Sequence, residues 1–589
     1  MTILIYQPKT ITMKYYSSLL LLVILFSCSS PSNEKKGADV KPNILLLIGD
    51  DIAFGDLGVY GSEINTPNFN RLAESGVRFT NFHASPVCSV TRSMLMTGCN
   101  NIEIGLGSFD YSFYPASKGK PGYEGYLTDN AVTMSQLFND QGYEVFKVGK
   151  WHLGGEEAGG YGPMHWGFTK EFGILSGGSN HWNNLRMTPI FSDPDFMNKK
   201  FEEHWTLNGE KYDRPNGVYS GELYTNQMLS FIKEAHKEGK PWFSWMAFTT
   251  AHFPIQAPPE LVEKHYEFYL KHGYEGLKQF RYERLKEKGL ISHSAAPASE
   301  NSLVKKWDQL SDDEKKYQAK VFATYAAEIE DQDNRIGQLL DYLKSSGQLE
   351  NTMIVYLSDN GPEGMEAENP NTGNEVFGEW IAKNYDTSFE AIGTANSSNY
   401  IGTAWANAAT GGLSWWKWFI GEGGVRVPMI IVPPGATKEN YKRAGELSNA
   451  VMSVKDLPMT ILDYAGIQHP GSNYKGKTVQ APSGISARPF LDGESDIVRN
   501  DNQWYAFELF GNAYIMKGNY KLIKVRKGMF GDGEWHLYDV VKDPSESKPL
   551  EKEMPDRYKD MLSLYKGYEK EHQLVQVDEA WNAFKAASD

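Results

Sequence analysis

Cysteine is almost missing from this chain: three in 589 residues, at Cys28, Cys88 and Cys99. A fold held by disulfides is thereby excluded. Stability must come from a large core, for which 41% hydrophobic and 13% aromatic residues are ample. A basic excess is missing too. Lys and Arg number 59 against 74 Asp and Glu, a formal charge of −15, which excludes the electropositive footprint of a nucleic-acid binder. The same charge repels anions, so an anionic substrate would need a locally basic pocket. Internal repeats and coiled-coil heptads are not visible. The most apolar run, Leu19 to Phe26, is too short to span a bilayer.

That run suits the core of a signal peptide, with Lys14 before it and Met1 or Met13 as its start. Leu25-Phe26-Ser27-Cys28 resembles a bacterial lipobox, although Phe26 is larger than usual at its position. The resemblance implies export as a lipoprotein, with cleavage before Cys28 and lipid attachment to it. A membrane would then be met through the lipid anchor only, on the periplasm-facing or outer surface of an outer membrane. Ser29 to Lys41, rich in Ser, Pro, Asn and Lys, reads as a flexible tether.

Beyond it, Asn43 to Gly49 is a continuous apolar run ending in Asp50-Asp51. Such runs read as strands buried on both faces. Tyr143 to Val148 follows a helical pattern at Met134 to Asp140 and leads to Lys150 and His152. Trp242 to Phe248 precedes His252, Thr352 to Leu357 ends at Ser358-Asp359-Asn360-Gly361, and Val427 to Val432 ends at Pro433-Pro434-Gly435. Asp313 to Ser345 carries Val321, Tyr325, Ile329, Ile336, Leu340 and Leu343 on one helical face. Alternating strands and helices predict an α/β fold, a large mixed, mostly parallel sheet with helices on both faces. In such sheets ligands sit at the carboxyl ends of strands, where these polar residues lie. After about residue 475 the runs Trp504–Leu509, Ala513–Met516, Tyr520–Val525 and Trp535–Val540 predict a small antiparallel sheet. A helix follows at Pro555–Glu571.

An Asp after a strand is usually a turn residue or helix cap. Asp50 and Asp51 after one strand, with Asp359 and Asn360 after another, make a hard-oxygen set suited to Ca²⁺ or Mg²⁺. Lys150 and His152, two apart, would share a face of an extended segment. Lys417 lies in Trp415-Trp416-Lys417-Trp418-Phe419, where desolvation could depress its pKa or its stem could snorkel out of the aromatic patch. Cys88, four residues before Arg92 in a polar segment, reads as a buried structural thiol or as a nucleophile or its precursor. If Cys88 reacts, a bridge to Cys99 would abolish activity.

Together these segments resemble the type I sulfatases of the alkaline-phosphatase-like superfamily, and within them the bacterial arylsulfatase subgroup. Cys88…Arg92…Thr97-Gly98 matches the signature Cys-x-Pro-x-Arg…Thr-Gly. Gly149-Lys150-Trp151-His152-Leu153-Gly154, Ser358-Asp359-Asn360-Gly361-Pro362-Glu363-Gly364, Trp405 to Thr410, Gly423 to Pro428, Glu508 to Gly511 and Leu537-Tyr538-Asp539…Asp543-Pro544 follow in order. The resemblance implies that Cys88 is oxidised to formylglycine by a sulfatase-maturating enzyme. It also implies one Ca²⁺ held by Asp50, Asp51, Asp359, Asn360 and the modified Cys88. Arg92 would orient the hydrated aldehyde, Lys150 would stabilise sulfuryl charge, His252 with Lys417 would protonate the leaving oxygen, and His152 would take a proton afterwards. The implied domains are a signal peptide at 1–27, a tether at 28–41, a catalytic domain at 42–474 and a C-terminal α+β subdomain at 475–589. Val90 replaces the motif proline, which bears on maturation, and Cys99 stands where Arg is common.

The expected substrates are aryl or alkyl sulfates, or sulfated oligosaccharides from polysaccharides such as ulvan, carrageenan or fucoidan. Gly177 to Asn184 and Trp415 to Trp418 could form sugar-stacking walls or simply pack as loops. Two other readings compete. A formylglycine-dependent phosphonate or phosphodiester hydrolase would share the site, whereas a two-zinc site would want His in place of Asn360. A chain left unmatured because of Val90 would be a silent surface protein that binds sulfated glycans.

Overall fold

A computed structural model describes residues 41–109, 112–155, 159–298, 304–366 and 373–583. The expected signal peptide, Cys28 and all of the tether but Lys41 lie outside the described residues. Among the described residues no helix is long and apolar enough to cross a membrane.

Ten strands form the main sheet: β1 Asn43–Gly49, β2 Val77–Phe79, β3 Glu144–Lys150, β4 Lys170–Ile174, β5 Trp205–Leu207, β6 Glu210–Lys211, β7 Trp242–Ala247, β8 Thr352–Ser358, β9 Met429–Val432 and β10 Leu447–Ser448. Their order is β10-β2-β9-β8-β1-β7-β3-β4-β5-β6. The five strands from β8 to β4 are mutually parallel, and the flanks add antiparallel pairs. Every residue of β1, β7 and β8 is buried, as a two-sided cover requires.

The principal helices are α1 Cys88–Thr97, α2 Met134–Asp140, α3 Ser220–Lys237, α4 Pro259–Glu287, α5 Asp312–Ser345, α6 Glu375–Asn384 and α7 Pro555–Glu571. Ser311 caps α5, accepting from the Glu314 N–H while Glu314 reaches back to Ser311, a reciprocal pair that fixes its start. Phe138 of α2 stacks on Phe243, and Phe231 of α3 packs on Phe146. Phe243 lies opposite Val145 and Phe146 opposite Ser244 in the β3–β7 register. Alternation then puts the two phenylalanines on opposite faces, so helices cover both.

The Val427–Val432 run behaves differently from the other expected strands. It forms β9, which runs antiparallel to β8 and β2. Pro433-Pro434-Gly435 therefore lies at the edge away from the carboxyl ends of the parallel strands. The amino end of β9, near Arg426, faces the same side as Asp359.

Four antiparallel strands make the C-terminal sheet: β11 Tyr505–Leu509, β12 Asn512–Lys517, β13 Tyr520–Lys524 and β14 Trp535–Asp539. Tyr505, Phe507 and Leu509 join the main core. Ala506, Ala513, Ile515 and Leu522 face Met561, Tyr565 and Tyr568 of α7. A period of two thus splits the sheet between two apolar layers.

Candidate active site

The sheet's carboxyl edge gathers four turns. Asp50-Asp51 leaves β1, Trp151-His152 leaves β3, Thr249 to His252 leaves β7 and Asp359-Asn360 leaves β8. Gly149 has φ +96°, and a Cβ there would come within 1.8 Å of the Ala247 carbonyl. Only glycine lets β3 approach β7 this closely just before Lys150. The Asp50 N–H donates to the Thr250 carbonyl at 3.0 Å, and the Asp359 N–H donates to the Gly49 carbonyl at 3.1 Å. Asp51 adopts φ 62°, a left-handed conformation held from outside. Tyr325 of α5 donates to the Asp51 carbonyl at 2.9 Å, and Ser358 Oγ accepts the Ile52 N–H at 3.0 Å.

Cys88 is the first residue of α1, and Arg92, one turn on, shares its face. Both are buried. Cys88 Sγ lies 3.2 Å from His152 Nδ1. Burial raises the thiol pKa, but Lys150, His152 and Lys417 outweigh it and bring it down to about 7. Arg92 donates twice to Asp359 Oδ2, at 2.9 and 2.7 Å, and once to the Lys150 carbonyl at 3.2 Å. Burial works against the Asp359 charge, yet Arg92 and Lys150 hold its pKa below the ordinary value.

Lys150 Nζ donates to Asp50 Oδ2 at 2.7 Å. Asn360 Nδ2 donates to Asp51 Oδ1 at 2.6 Å, and Lys417 Nζ lies 2.8 Å from the same oxygen. Burial, reinforced by Asp359, pushes Asp50 up to about 7. Burial also pushes Asp51 up to about 7, against the pull of Lys417 and with Glu363 and Asp359 adding to it. Oxygens of Asp50, Asp51 and Asp359 lie within 4.8 Å of one another, and Cys88 Sγ and His252 share a similar cluster with Asp50. Asp50 Oδ1 and Asn360 Oδ1 are buried without a hydrogen-bond partner. Crowded carboxylates with unpartnered oxygens fit a hard divalent cation.

His252 Nδ1 donates to the Phe253 carbonyl at 2.7 Å, which fixes the neutral tautomer and leaves Nε2 facing Asp51 at 3.7 Å. Burial, with Lys417 and Lys150 nearby, holds its pKa well below the imidazole range.

The structure thus brings together all the expected residues: Asp50, Asp51, Cys88, Arg92, Lys150, His152, His252, Asp359, Asn360 and Lys417. Two expectations about how they meet are corrected. His152 is not in an extended segment; it has φ 59° just beyond the end of β3, and Lys150 and His152 reach different partners. Lys417 is not depressed by desolvation: burial pulls its pKa down, but Asp51 and Glu363 outweigh it and raise it well above the ordinary lysine value. Cys88 and Cys99 are both free, so the feared bridge is not formed. Burial pushes Cys99 up to about 12, an unreactive thiol.

Glu363, within the Ser358–Gly364 segment, is a site residue that sequence reasoning misses. Its carboxylate lies 3.1 Å from Lys417 Nζ and accepts the Trp418 Nε1–H at 3.3 Å and the Met365 N–H at 3.0 Å. The sole signal for it was its place three residues after Asn360. Tyr325 and Ser358, which hold the Asp50-Asp51 turn, carried no separate signal. The Gly177–Asn184 loop is packed into the fold, with Arg214 donating to the Asn180, His181 and Asn183 carbonyls and the His181 N–H donating to Gln256, and of it Gly177 and Gly178 line the cavity. Asn180 Oδ1 accepts the N–H groups of Trp182 and Asn183, and Trp182 Nε1 donates to the Gly393 carbonyl. Trp415 stacks on Phe419 at 4.4 Å, and Trp416 is fully buried, so of that segment only Lys417 and Trp418 line the cavity above the site.

The sulfatase family model matches residues 42–467. An uncharacterized sulfatase of Schizosaccharomyces pombe is 36% identical over 550 residues, 92% of this chain and 96% of the relative. An arylsulfatase of Klebsiella aerogenes is 35% identical over 447 residues, 76% of this chain and 91% of the relative. The crystal structure of Ps i-CgsB in complex with k-i-k-neocarrahexaose aligns with a TM-score of 0.61 and 21% identity, covering 92% of this chain and 95% of that one. At that identity the likeness speaks for the fold, which is alkaline-phosphatase-like. The chain belongs to the sulfatase family. As a member it is a sulfuric ester hydrolase.

Proposed function

We propose that this protein hydrolyses sulfate monoesters through a formylglycine made from Cys88, with one Ca²⁺ at Asp50, Asp51, Asp359 and Asn360. The observation that carries this reading is the junction of Cys88, held 3.2 Å from His152, with three crowded carboxylates and the lysines that face them. When bound, Ca²⁺ would supply Lewis-acid stabilisation of sulfuryl oxygen charge. Formylglycine would supply a hydrated aldehyde, whose second hydroxyl lets the group regenerate, as a plain Ser or Cys could not.

The chain's own residues then divide the work. Lys150 and Lys417, both buried, bind the sulfate oxygens and answer the repulsion of an acidic protein. Arg92 fixes Asp359 and the carboxyl end of β3 relative to position 88. Lys417, kept an ammonium by Asp51 and Glu363, supplies the proton for the leaving oxygen, and His252, with Nδ1–H engaged, turns its Nε2 lone pair to the same space to relay it. His152 Nδ1 takes a proton from the group at position 88.

Cys88 and Val90 are buried in the folded chain, so a maturating enzyme would read the segment before folding. Export and lipidation at Cys28 belong to the same proposal, supported by the apolar run and the Leu25–Cys28 match. Loss of membrane association in Cys28→Ala is their test. For the chemistry, mass spectrometry of the Cys88 peptide is paired with assays on 4-nitrophenyl sulfate and an aryl phosphodiester. An intact thiol in protein from the native host, or turnover confined to the phosphodiester, would defeat the proposal.

A further inference from the structure

A second cavity, of about 150 Å³, lies between the C-terminal sheet and α7. Among the described residues it shares no lining with the cavity above the active site. A water molecule takes about 30 Å³ in the liquid, so the space suits a small organic molecule. Strand register builds its floor. Glu508 of β11 stands opposite Ala513 of β12, Ala513 opposite Lys524 of β13, and Lys524 opposite Trp535 of β14. Directly opposed residues share a face, so the four form one row under the helix. The short side chain of Ala513 leaves the gap in the middle. Leu562, Tyr565, Lys566 and Glu569 recur at helical spacing on α7 and form the roof. Trp535 and Tyr565, with ring centroids 4.6 Å apart, close one side. The segment after α7 closes another. Its Val575 N–H donates to Tyr123 Oη at 2.8 Å, and Gln576 Nε2 donates to Glu569 Oε1 at 2.7 Å.

The charges at this cavity do not satisfy one another. Glu508 is only 4% exposed; its Oε1 accepts the Gly511 N–H, and its Oε2 has no partner. Arg526, whose charge reaches Glu508, donates instead to the Phe510, Asp578 and Trp581 carbonyls. Lys524 and Lys566 make no ion pair among the described residues. Neighbouring strands lie about 4.8 Å apart, so Glu508 and Lys524, two strands apart, are separated by about 10 Å. Side chains rising from one face keep roughly that spacing. Hydrogen bonds of about 2.8 Å at each end leave about 4 Å between them for a molecule carrying both charges. A lone ammonium would leave the lysine unanswered, and a lone anion would leave the buried carboxylate oxygen without a donor.

We propose that this cavity binds a small zwitterion, an ammonium and a carboxylate on a short carbon frame, as in an α- or β-amino acid. The ammonium donates to Glu508 Oε2, the carboxylate accepts from Lys524, and the carbon frame lies against Tyr565 and Leu562. No bond is made or broken. The site is separate from the hydrolytic one and does not rest on the sulfatase reading.

The test is titration calorimetry and thermal unfolding of the full-length protein, Cys88 converted, with glycine, alanine and β-alanine. Ethylamine and propionate, each carrying one of the two charges, are the controls. At least one zwitterion should bind saturably with a Kd below about 1 mM, at least about tenfold more tightly than either control, and raise the melting temperature. Glu508→Gln and Lys524→Met should each weaken that binding about tenfold to a hundredfold, with turnover of 4-nitrophenyl sulfate unchanged. Lys524 is only partly buried, so Lys524→Met decides the matter if Glu508→Gln fails to fold. No saturable binding of any of the three, equal binding of ethylamine or propionate, or undiminished binding by Lys524→Met would overturn the proposal and leave the sulfatase reading standing.

Discussion

Two of the buried charge clusters among the described residues are built in opposite ways. At the junction with the C-terminal sheet, Glu422 is met by Lys521 at 2.8 Å, Arg426 at 2.8 Å and His83 at 3.1 Å. Burial works against its charge, but Lys521, His83 and Arg426 hold its pKa well below the ordinary value. At the carboxyl edge of the main sheet, Asp50 and Asp51 are instead pushed up to about 7, and Asp50 Oδ1 and Asn360 Oδ1 have no partner. One cluster surrounds its central carboxylate with cations. The other is short of positive charge and keeps oxygens in reserve. Several carboxylates crowded within 4.8 Å of one another, with oxygens left unpartnered, mark the site more than burial or charge alone.

Removing one member of each cluster should therefore have different consequences. Cys88→Ala should cut sulfate release by at least about 10⁴-fold while thermal unfolding stays close to that of the parent. Activity lost together with fold would make the two clusters alike. Chelation by EGTA should abolish turnover and lower the melting temperature, and added Ca²⁺ should restore both. At a hundredfold excess over Kd a bound ion would contribute about 2.7 kcal/mol. The same treatment should leave Glu422→Ala no less stable than untreated Glu422→Ala by any additional margin beyond the parent's own loss.

Glu422→Ala itself should destabilise by about 3–5 kcal/mol, since it leaves Lys521 and Arg426 short of a buried partner. Urea denaturation measures this, and turnover per folded molecule should persist. Glu363 lies between the two kinds of residue, as a positioning group for Lys417. Glu363→Gln should lower kcat by about tenfold to a hundredfold with less change in KM, and shift the pH profile of kcat. Glu363→Asp should recover part of the loss. A variant that merely loosened the fold would lower stability without moving the profile.

The smallest effect is one of pH, and two buried glutamates contribute it with opposite signs. Glu508 on β11 accepts the Gly511 N–H, while its Oε2 is buried unpartnered. Burial pushes it up to about 7. Between the ordinary carboxylate value and pH 7 the folded chain holds a proton that the unfolded chain has released. Stability from this group is therefore present at low pH and lost as pH rises through that window, by no more than about 3 kcal/mol. Glu422 contributes the reverse, present above the ordinary carboxylate value and lost on acidification. Glu508→Gln should flatten the first slope and leave the second.

Much of the fold was legible because its signals are local. The apolar runs that became β1, β7 and β8, the α5 stripe and the helix Pro555–Glu571 depend on side-chain period and neighbouring turns. The strand-end residues were legible for the same reason, since a carboxylate or histidine directly after a buried run must sit at a sheet edge. The direction of β9 was not legible, because an apolar run of a few residues reads the same in either direction and only its neighbours β8 and β2 set its sense. The charge state of Lys417 was misjudged because its aromatic neighbours are sequential, while Asp51 and Glu363 reach it through space.

By itself, then, the sequence determined the kind of chemistry. Scarce cysteine, the Cys88–Arg92 spacing and hard-oxygen ligands after two strands needed only residue identity and short-range order. Tertiary structure alone decided which charges are paired and which are left open, and which side chains line the cavity. Met187, Phe253 and Phe377 come from three distant segments with no common period. Burial and electrostatics depend on distance in space, and no local pattern in the chain records that distance.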